Sequence, residues 1–227
     1  MVFRIALVAL LLAIPLSQSQ AETMFGASKE QRFWAWFQQN EDSLYNFETD
    51  REAIFDKLHA ELLQVYPTAA FQLGPVLDDG RRELILSADS NVSDFPAVEA
   101  LYDAAPALPR WIVVKFIPRR PDDPLTTTEI GGKVFQTSQL RYLLDSAGPQ
   151  VDLRIFVPNA AAYEKDDVRY LVFLTLHASL GEEDFALRVR RYSILDEMGD
   201  GYADSNEILG LADEFDAYFA EQRKSYH

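Results

Sequence analysis

The chain has 227 residues, no cysteine and a formal net charge of −15, with 36 acidic side chains against 21 basic ones. The absence of cysteine excludes disulfides, thiolate metal sites and cysteine nucleophiles. A surface this acidic repels nucleic acids and anionic lipids, so we expect no nucleic-acid binding. The apolar share of 48% predicts a folded globule that depends on its core for stability.

Residues 1–21 have the pattern of a secretory signal peptide. Arg4 precedes an apolar run over 5–16, and Ser19 and Ala21 are small residues at the positions that a signal peptidase reads. The run of about 12 residues is too short for a membrane span, which needs roughly 20. We therefore predict a periplasmic or secreted protein with no stable membrane insertion after cleavage.

The segment 22–66 predicts N-terminal helices that pack on the first half of the protein. Ser28 and Gln31 have the spacing of a capping box, and the helix that they open contains "FWAWF" over 33–37. Aromatic residues at this spacing are typical of a core or docking stripe. A second helix is predicted over about 50–66, because Pro67 would end it.

Residues 67–120 predict a first α+β half. Strands over 69–76 and 83–88 flank a hairpin turn at 78–80, and a helix over about 95–105 leads to a strand over 110–117. The stretch 121–133 is rich in proline, glycine and threonine and is predicted to be a connection.

Residues 134–227 predict a second α+β half with a C-terminal helix. Its expected elements are a short strand at 134–135, a short helix over 137–148, strands over 151–157 and 167–176, a helix over 179–186, a strand over 187–195 and a helix over 205–222. Residues 50–117 and residues 136–195 thus both follow the order helix–strand–strand–helix–strand. This predicts an α+β fold of two related ferredoxin-like, βαββαβ-type halves. The alternative is one α+β domain in which the repetition is coincidental.

The acidic stretch 196–207 has two interpretations. Counted from Asp196, it places Asp200, Asp204 and Glu207 at positions 5, 9 and 12 of an EF-hand-like calcium loop, with Gly201 at position 6. Position 3 is a methionine, which offers no hard oxygen. Alternatively, Asp204 caps the terminal helix and Glu207 reaches back to it.

His177 and Glu182 are the candidate catalytic residues. We expect His177 to end a strand, and acidic residues follow it closely, so one interpretation is a proton-transfer pair or a metal site. A structural histidine explains the same pattern. Sequence signatures of serine hydrolases, zinc proteases and nucleotide-binding loops are absent.

The order of several segments resembles an uncharacterised family of bacterial exported α+β proteins. The resemblance rests on "FWAWFQQNEDSLYNFETDREAIFDKLHAELLQVYP", "FPAVEALYDAAPALPRWIVVKFIPRRP" and "LHASLGEEDFALRVRRYSIL". It spans most of the chain after residue 21. No activity, ligand or functional residue is implied by it.

The sequence therefore favours a non-catalytic binding or interaction module whose partner has a basic surface. Residues 196–227 contribute nine acidic and two basic side chains to that expectation. The first alternative is a hydrolase or metal-dependent enzyme that uses carboxylates with His177. The second is a structural protein that calcium stabilises through 196–207.

The calcium interpretation predicts a thermal shift. Calcium at about 100 times its Kd stabilises a protein by about 2.7 kcal/mol, which raises the Tm of a chain of this size by about 5–10 °C. Melting with calcium and with a chelator measures this shift, and Glu207→Gln should abolish it. Equal Tm values in calcium and chelator would contradict the calcium interpretation.

Overall fold

The structure is a computed structural model that describes residues 26–120, 128–130 and 133–225. The predicted signal peptide, most of the connection at 121–133 and the last two residues lie outside this range. The helices are α1 (Lys29–Gln39), α2 (Glu41–Tyr45), α3 (Arg51–Leu63), α4 (Phe95–Asp103), α5 (Lys165–Leu180), α6 (Glu182–Arg188) and α7 (Leu211–Ser225). The strands are β1 (Ala70–Leu73), β2 (Arg82–Ser87), β3 (Trp111–Lys115), β4 (Thr128–Ile130), β5 (Lys133–Phe135), β6 (Arg141–Ala147), β7 (Gln150–Phe156), β8 (Val189–Leu195) and β9 (Asn206–Glu207).

The first sheet has the order β1-β2-β3. Strands β1 and β2 form the predicted antiparallel hairpin, and β3 returns through α4 to lie parallel to β2. The aromatic residues of α1 pack into the core of this half, where Phe33, Trp34 and Phe37 are buried. The capping box at Ser28 and Gln31 is confirmed. These aromatic side chains are thus core residues, so the stripe does not offer a docking surface.

The second sheet has the order β8-β7-β6-β9. Strands β6 and β7 are antiparallel, and β8 follows α5 and α6 to lie parallel to β7. A separate hairpin joins β4 and β5. A second core collects apolar residues of this sheet, of α5 and of α7, including Leu153, Leu171 and Phe215. No helix within the described residues has both the length and the apolarity to cross a membrane.

Three predicted elements of the second half are wrong. Residues 167–176 belong to helix α5, because Val168, Leu171, Val172, Thr175 and Leu176 are buried at helical spacing. The segment predicted as a helix over 137–148 contains strand β6, which pairs with β7 across a two-residue turn at 148–149. Gly148 has a φ of 75°, which favours glycine, so this turn closes the hairpin. The terminal helix starts at Leu211, six residues later than predicted.

The fold is mixed α+β, as the sequence predicted. Each large sheet begins with an antiparallel hairpin and adds a parallel strand after a helical crossover. A βαββαβ unit needs a further leading strand and a further crossover. In the described residues β1 is preceded by helix α3 and not by a strand, so the ferredoxin-like form of the halves is not confirmed.

Candidate functional site

The junction between the two halves brings the candidate catalytic residues together. We define the junction as the loop 88–90 after β2, the segment 116–120 after β3, and residues 177–184, where α5 ends and α6 begins. Because β2 and β3 are parallel, their carboxyl ends lie side by side and both face this corner. Backbone hydrogen bonds join Arg120 N to Ala178 O at 2.7 Å and Glu182 N to Ile117 O at 2.8 Å.

Glu182 is the centre of the junction. Its side chain is completely buried. One carboxylate oxygen accepts hydrogen bonds from the backbone N–H groups of Ala88 at 2.9 Å and Ser90 at 3.0 Å. The other accepts from Ile117 N at 3.0 Å. Hydrogen bonds to a charged acceptor are about twice as strong as neutral ones, so three of them offset much of the cost of burying the charge.

The loop that Glu182 holds has an uncommon backbone. Asp89 and Ser90 have φ values of 50° and 63°, and Phe116 on the neighbouring segment has a φ of 61°. Residues other than glycine disfavour this left-handed region. The hydrogen bonds that Glu182 accepts from this loop therefore stabilise a conformation that the isolated loop would rarely adopt.

His177 lies beside Glu182 and is 2% exposed. Its Nδ1 is 2.8 Å from the carbonyl oxygen of Phe173, and its Nε2 is 2.7 Å from Ser90 Oγ. Since a carbonyl only accepts, Nδ1 carries the proton and Ser90 donates its hydroxyl proton to Nε2. Burial lowers the pKa of His177 below its ordinary value, although Glu182 and Asp89 act in the opposite direction. The ring is therefore neutral at pH 7.

A serine that donates to an oriented neutral histidine is the arrangement of an activated nucleophile. Acyl transfer also needs N–H donors for the developing oxyanion. The N–H of Ser90 already donates to Glu182, and the N–H of Asn91 donates to Ala88 O at 2.9 Å. The two backbone donors nearest to Ser90 Oγ in sequence are thus engaged in holding the loop.

Arg119 strengthens the junction from the surface side. Its Nε donates to Leu180 O at 2.7 Å, and its guanidinium pairs with Asp184 and, at 2.9 Å, with Asp216 on α7. Gly181, with a φ of 74°, lets the two segments approach, because a Cβ at this position would lie 3.1 Å from Arg119 Cγ. Helix α7 is thereby tied to the same corner.

The acidic residues of 196–207 lie in different local environments. Asp196 accepts a hydrogen bond from Met198 N at 2.9 Å. Asp204 is exposed in a 3₁₀ turn and Glu207 is exposed on β9. Within the described residues no three histidine or acidic side chains are grouped to hold a metal ion. The calcium interpretation stays a prediction. The capping interpretation is wrong, because α7 begins at Leu211 and Asp204 lies outside it.

Sequence reasoning selected His177 and Glu182 but missed Ser90 as their common partner. Ser90 is 87 residues from His177 and 92 from Glu182 along the chain.

Comparison with protein-family models, with characterised proteins and with solved structures finds no match to this chain. The chemistry of the junction therefore has to be inferred from its own geometry.

Replacing Glu182 by glutamine should destabilise the protein strongly. The amide keeps one acceptor oxygen but lacks the charge and turns an NH₂ group towards a backbone N–H. Hydrogen bonds to charged groups contribute about 1.5–3 kcal/mol each, so we expect Glu182→Gln to lower the free energy of unfolding by at least about 3 kcal/mol. Urea denaturation measures the loss.

Glu183→Gln is the matched control, since Glu183 is the next residue and is exposed. This exposed substitution should change the free energy of unfolding by less than about 0.5 kcal/mol. Equal losses for the two variants would contradict the role of Glu182.

The buried histidine should make stability depend on pH. Because the pKa of His177 is lowered in the folded state, the unfolded chain binds the proton first, and stability falls as pH drops through the unfolded value of about 6.5. We expect urea denaturation between pH 8 and pH 5 to show this fall. His177→Gln should reduce this fall, and an equally steep fall in the variant would contradict the role of His177.

Proposed function

We propose that this chain is an exported, non-catalytic binding protein whose partner has a basic surface. The observation that carries the proposal is the burial of both residues that the sequence nominated for proton transfer. His177 is 2% exposed and Glu182 is 0% exposed, and the hydrogen bonds of both hold the junction. The side chains of His177 and Glu182 therefore contribute to stability and have little access to a substrate.

The second support is the distribution of unpaired charge. We define the C-terminal acidic set as Asp204, Glu207, Asp213 and Glu221. All four are exposed, and no hydrogen bond or ion pair joins their carboxylate groups to other described residues. By contrast, Glu214 accepts from Tyr142 and Asn206, and Asp216 pairs with Arg119. The acidic set is thus free to attract cations, unlike its neighbours on α7.

The proposal includes the export signal at residues 1–21, the membership of an uncharacterised bacterial family, and a duplication. The repeated order of hairpin, helical crossover and parallel strand supports the duplication. In this view each half is a βαββαβ-type unit that has lost or displaced a strand.

Neutralising the acidic set should weaken binding of a basic probe. We expect a twenty-residue lysine peptide to bind the chain at 50 mM salt and to dissociate as salt approaches 300 mM, because screening removes exposed charge interactions. The variant with Asp204→Asn, Glu207→Gln, Asp213→Asn and Glu221→Gln should bind at least about fivefold more weakly. Fluorescence anisotropy of the labelled peptide measures both effects.

The control variant removes the same charge elsewhere, with Glu52→Gln, Asp56→Asn, Asp78→Asn and Asp103→Asn at exposed positions. It should weaken binding clearly less than the first variant. Equal weakening would mean that only the net charge matters, and salt-independent binding would contradict the proposal.

A serine hydrolase is the second candidate function, and one observation favours it. The 2.7 Å contact of Ser90 Oγ with a neutral, oriented His177 has the form of a nucleophile and its base. Ser90 is partly exposed, on a turn between strand β2 and helix α4. This arrangement resembles the strained strand-to-helix turn of known serine nucleophiles.

A fluorophosphonate probe separates the two candidates. In an active hydrolase Ser90 Oγ would bond to phosphorus, fluoride would leave, and His177 would take the hydroxyl proton. We expect the native protein to be labelled no more than the Ser90→Gly variant. The N–H groups that would bind the oxyanion already donate hydrogen bonds that hold the loop. Glycine suits the φ of 63° at this position, so the variant removes the hydroxyl without adding strain. Labelling that Ser90→Gly abolishes and Ser93→Ala retains would favour the hydrolase.

A further inference from the structure

An open cleft lies in the second half, away from the junction. Its volume is about 750 Å³, within the range of about 300–1,000 Å³ that is common for small-molecule sites. Helix α5 and strand β8 form its walls, and the connection from β7 to α5 closes one side. Most of its lining is apolar or aromatic, from Ala160, Ala161, Tyr163, Val168, Tyr192 and Ile194.

The cleft occupies a position where α/β proteins commonly bind ligands. In such sheets ligands bind outside the carboxyl ends of parallel strands. The connection after β7 lines the cleft together with Tyr192 and Ile194, which lie in the second half of its parallel neighbour β8. In the first half the corresponding end of β2 and β3 is filled by the carboxylate of Glu182. The second half leaves this region accessible.

Two cations complete the lining, namely Lys165 and Arg169, both of which are exposed. Arg169 pairs with Asp166 at 3.1 Å, so this carboxylate offsets the charge of its guanidinium. The ammonium group of Lys165 forms no ion pair or hydrogen bond with another described residue. The cleft therefore has one ammonium group available to a ligand.

The nearby carboxylates limit the charge that a ligand can carry. Glu164, Asp166 and Asp167 adjoin Lys165 in sequence, and the whole chain carries a net charge of −15. A dianionic phosphate would meet more repulsion than one ammonium group offsets, whereas a single negative charge can be matched by Lys165. A cationic head group would be repelled by the ammonium group of Lys165.

We propose that this cleft binds a small amphipathic carboxylate, with its apolar body against Val168, Tyr192 and Ile194 and its head group at Lys165. Burial of the apolar body supplies most of the affinity. The ammonium group selects the head group. This inference does not depend on the basic partner proposed above, since the cleft and the C-terminal acidic set share no residue.

Calorimetric titration of the full chain with ten-carbon probes at pH 8 tests the proposal. We expect decanoate to bind below 1 mM, 1-decanol and decyl phosphate about fivefold more weakly, and decyltrimethylammonium more weakly than 1-decanol. Decanol or the ammonium probe binding as tightly as decanoate would overturn the assignment of the head group. Absence of decanoate binding below 1 mM would overturn the site.

Matched variants locate the binding. Lys165→Met should weaken decanoate about fivefold and leave decanol unchanged, whereas Lys224→Met, also at an exposed lysine, should change neither. Ala161→Trp places a large ring on an exposed lining position and should abolish binding of both probes. Ala203→Trp, exposed and outside the cleft, should retain it. Decanoate binding that survives Ala161→Trp in a folded protein would overturn the proposal.

Discussion

The buried carboxylate of Glu182 is the constraint on which the arrangement of the molecule depends. It lies at the carboxyl ends of two parallel strands, where three backbone N–H groups converge. Such a place usually receives an anionic ligand from solution. Here the anion is the carboxylate of Glu182, which belongs to the second half of the same chain. The charge is costly to bury, so the two halves must stay in the orientation that lets all three N–H groups reach it.

Several other features of the junction follow from this carboxylate. The left-handed conformations at Asp89 and Ser90 aim their loop at Glu182, and Ser90 then meets His177. Burial disfavours the charged form of His177 and lowers its pKa, and this effect outweighs the opposite effect of the hydrogen bond to Phe173 O. Burial also raises the pKa of Tyr66, and Glu182 adds to the effect. The corner is therefore a connected polar network in which removing one member leaves others unpaired.

Local signals predicted the fold better than the site. The hairpin of β1 and β2 was readable because a glycine follows two aspartates between two apolar runs, and Gly80 has a φ of 79°. Helix α5 was mistaken for a strand because β-branched and aromatic residues outweighed the helical spacing of its buried face. His177 and Glu182 were selected, but their partners are about 90 residues away along the chain. No local pattern reports a contact that only tertiary packing creates.

The two proposed binding surfaces should respond to salt in opposite ways, which follows from the charge of the whole chain. A net charge of −15 attracts a basic partner and repels an anionic amphiphile at long range. Added salt screens both fields, so it weakens the first interaction and removes a barrier to the second. Affinity in the cleft must then come mainly from apolar burial, which salt does not screen. A chain this acidic would bind a carboxylate only where a local cation and an apolar wall act together, as Lys165 and Ile194 do in the cleft.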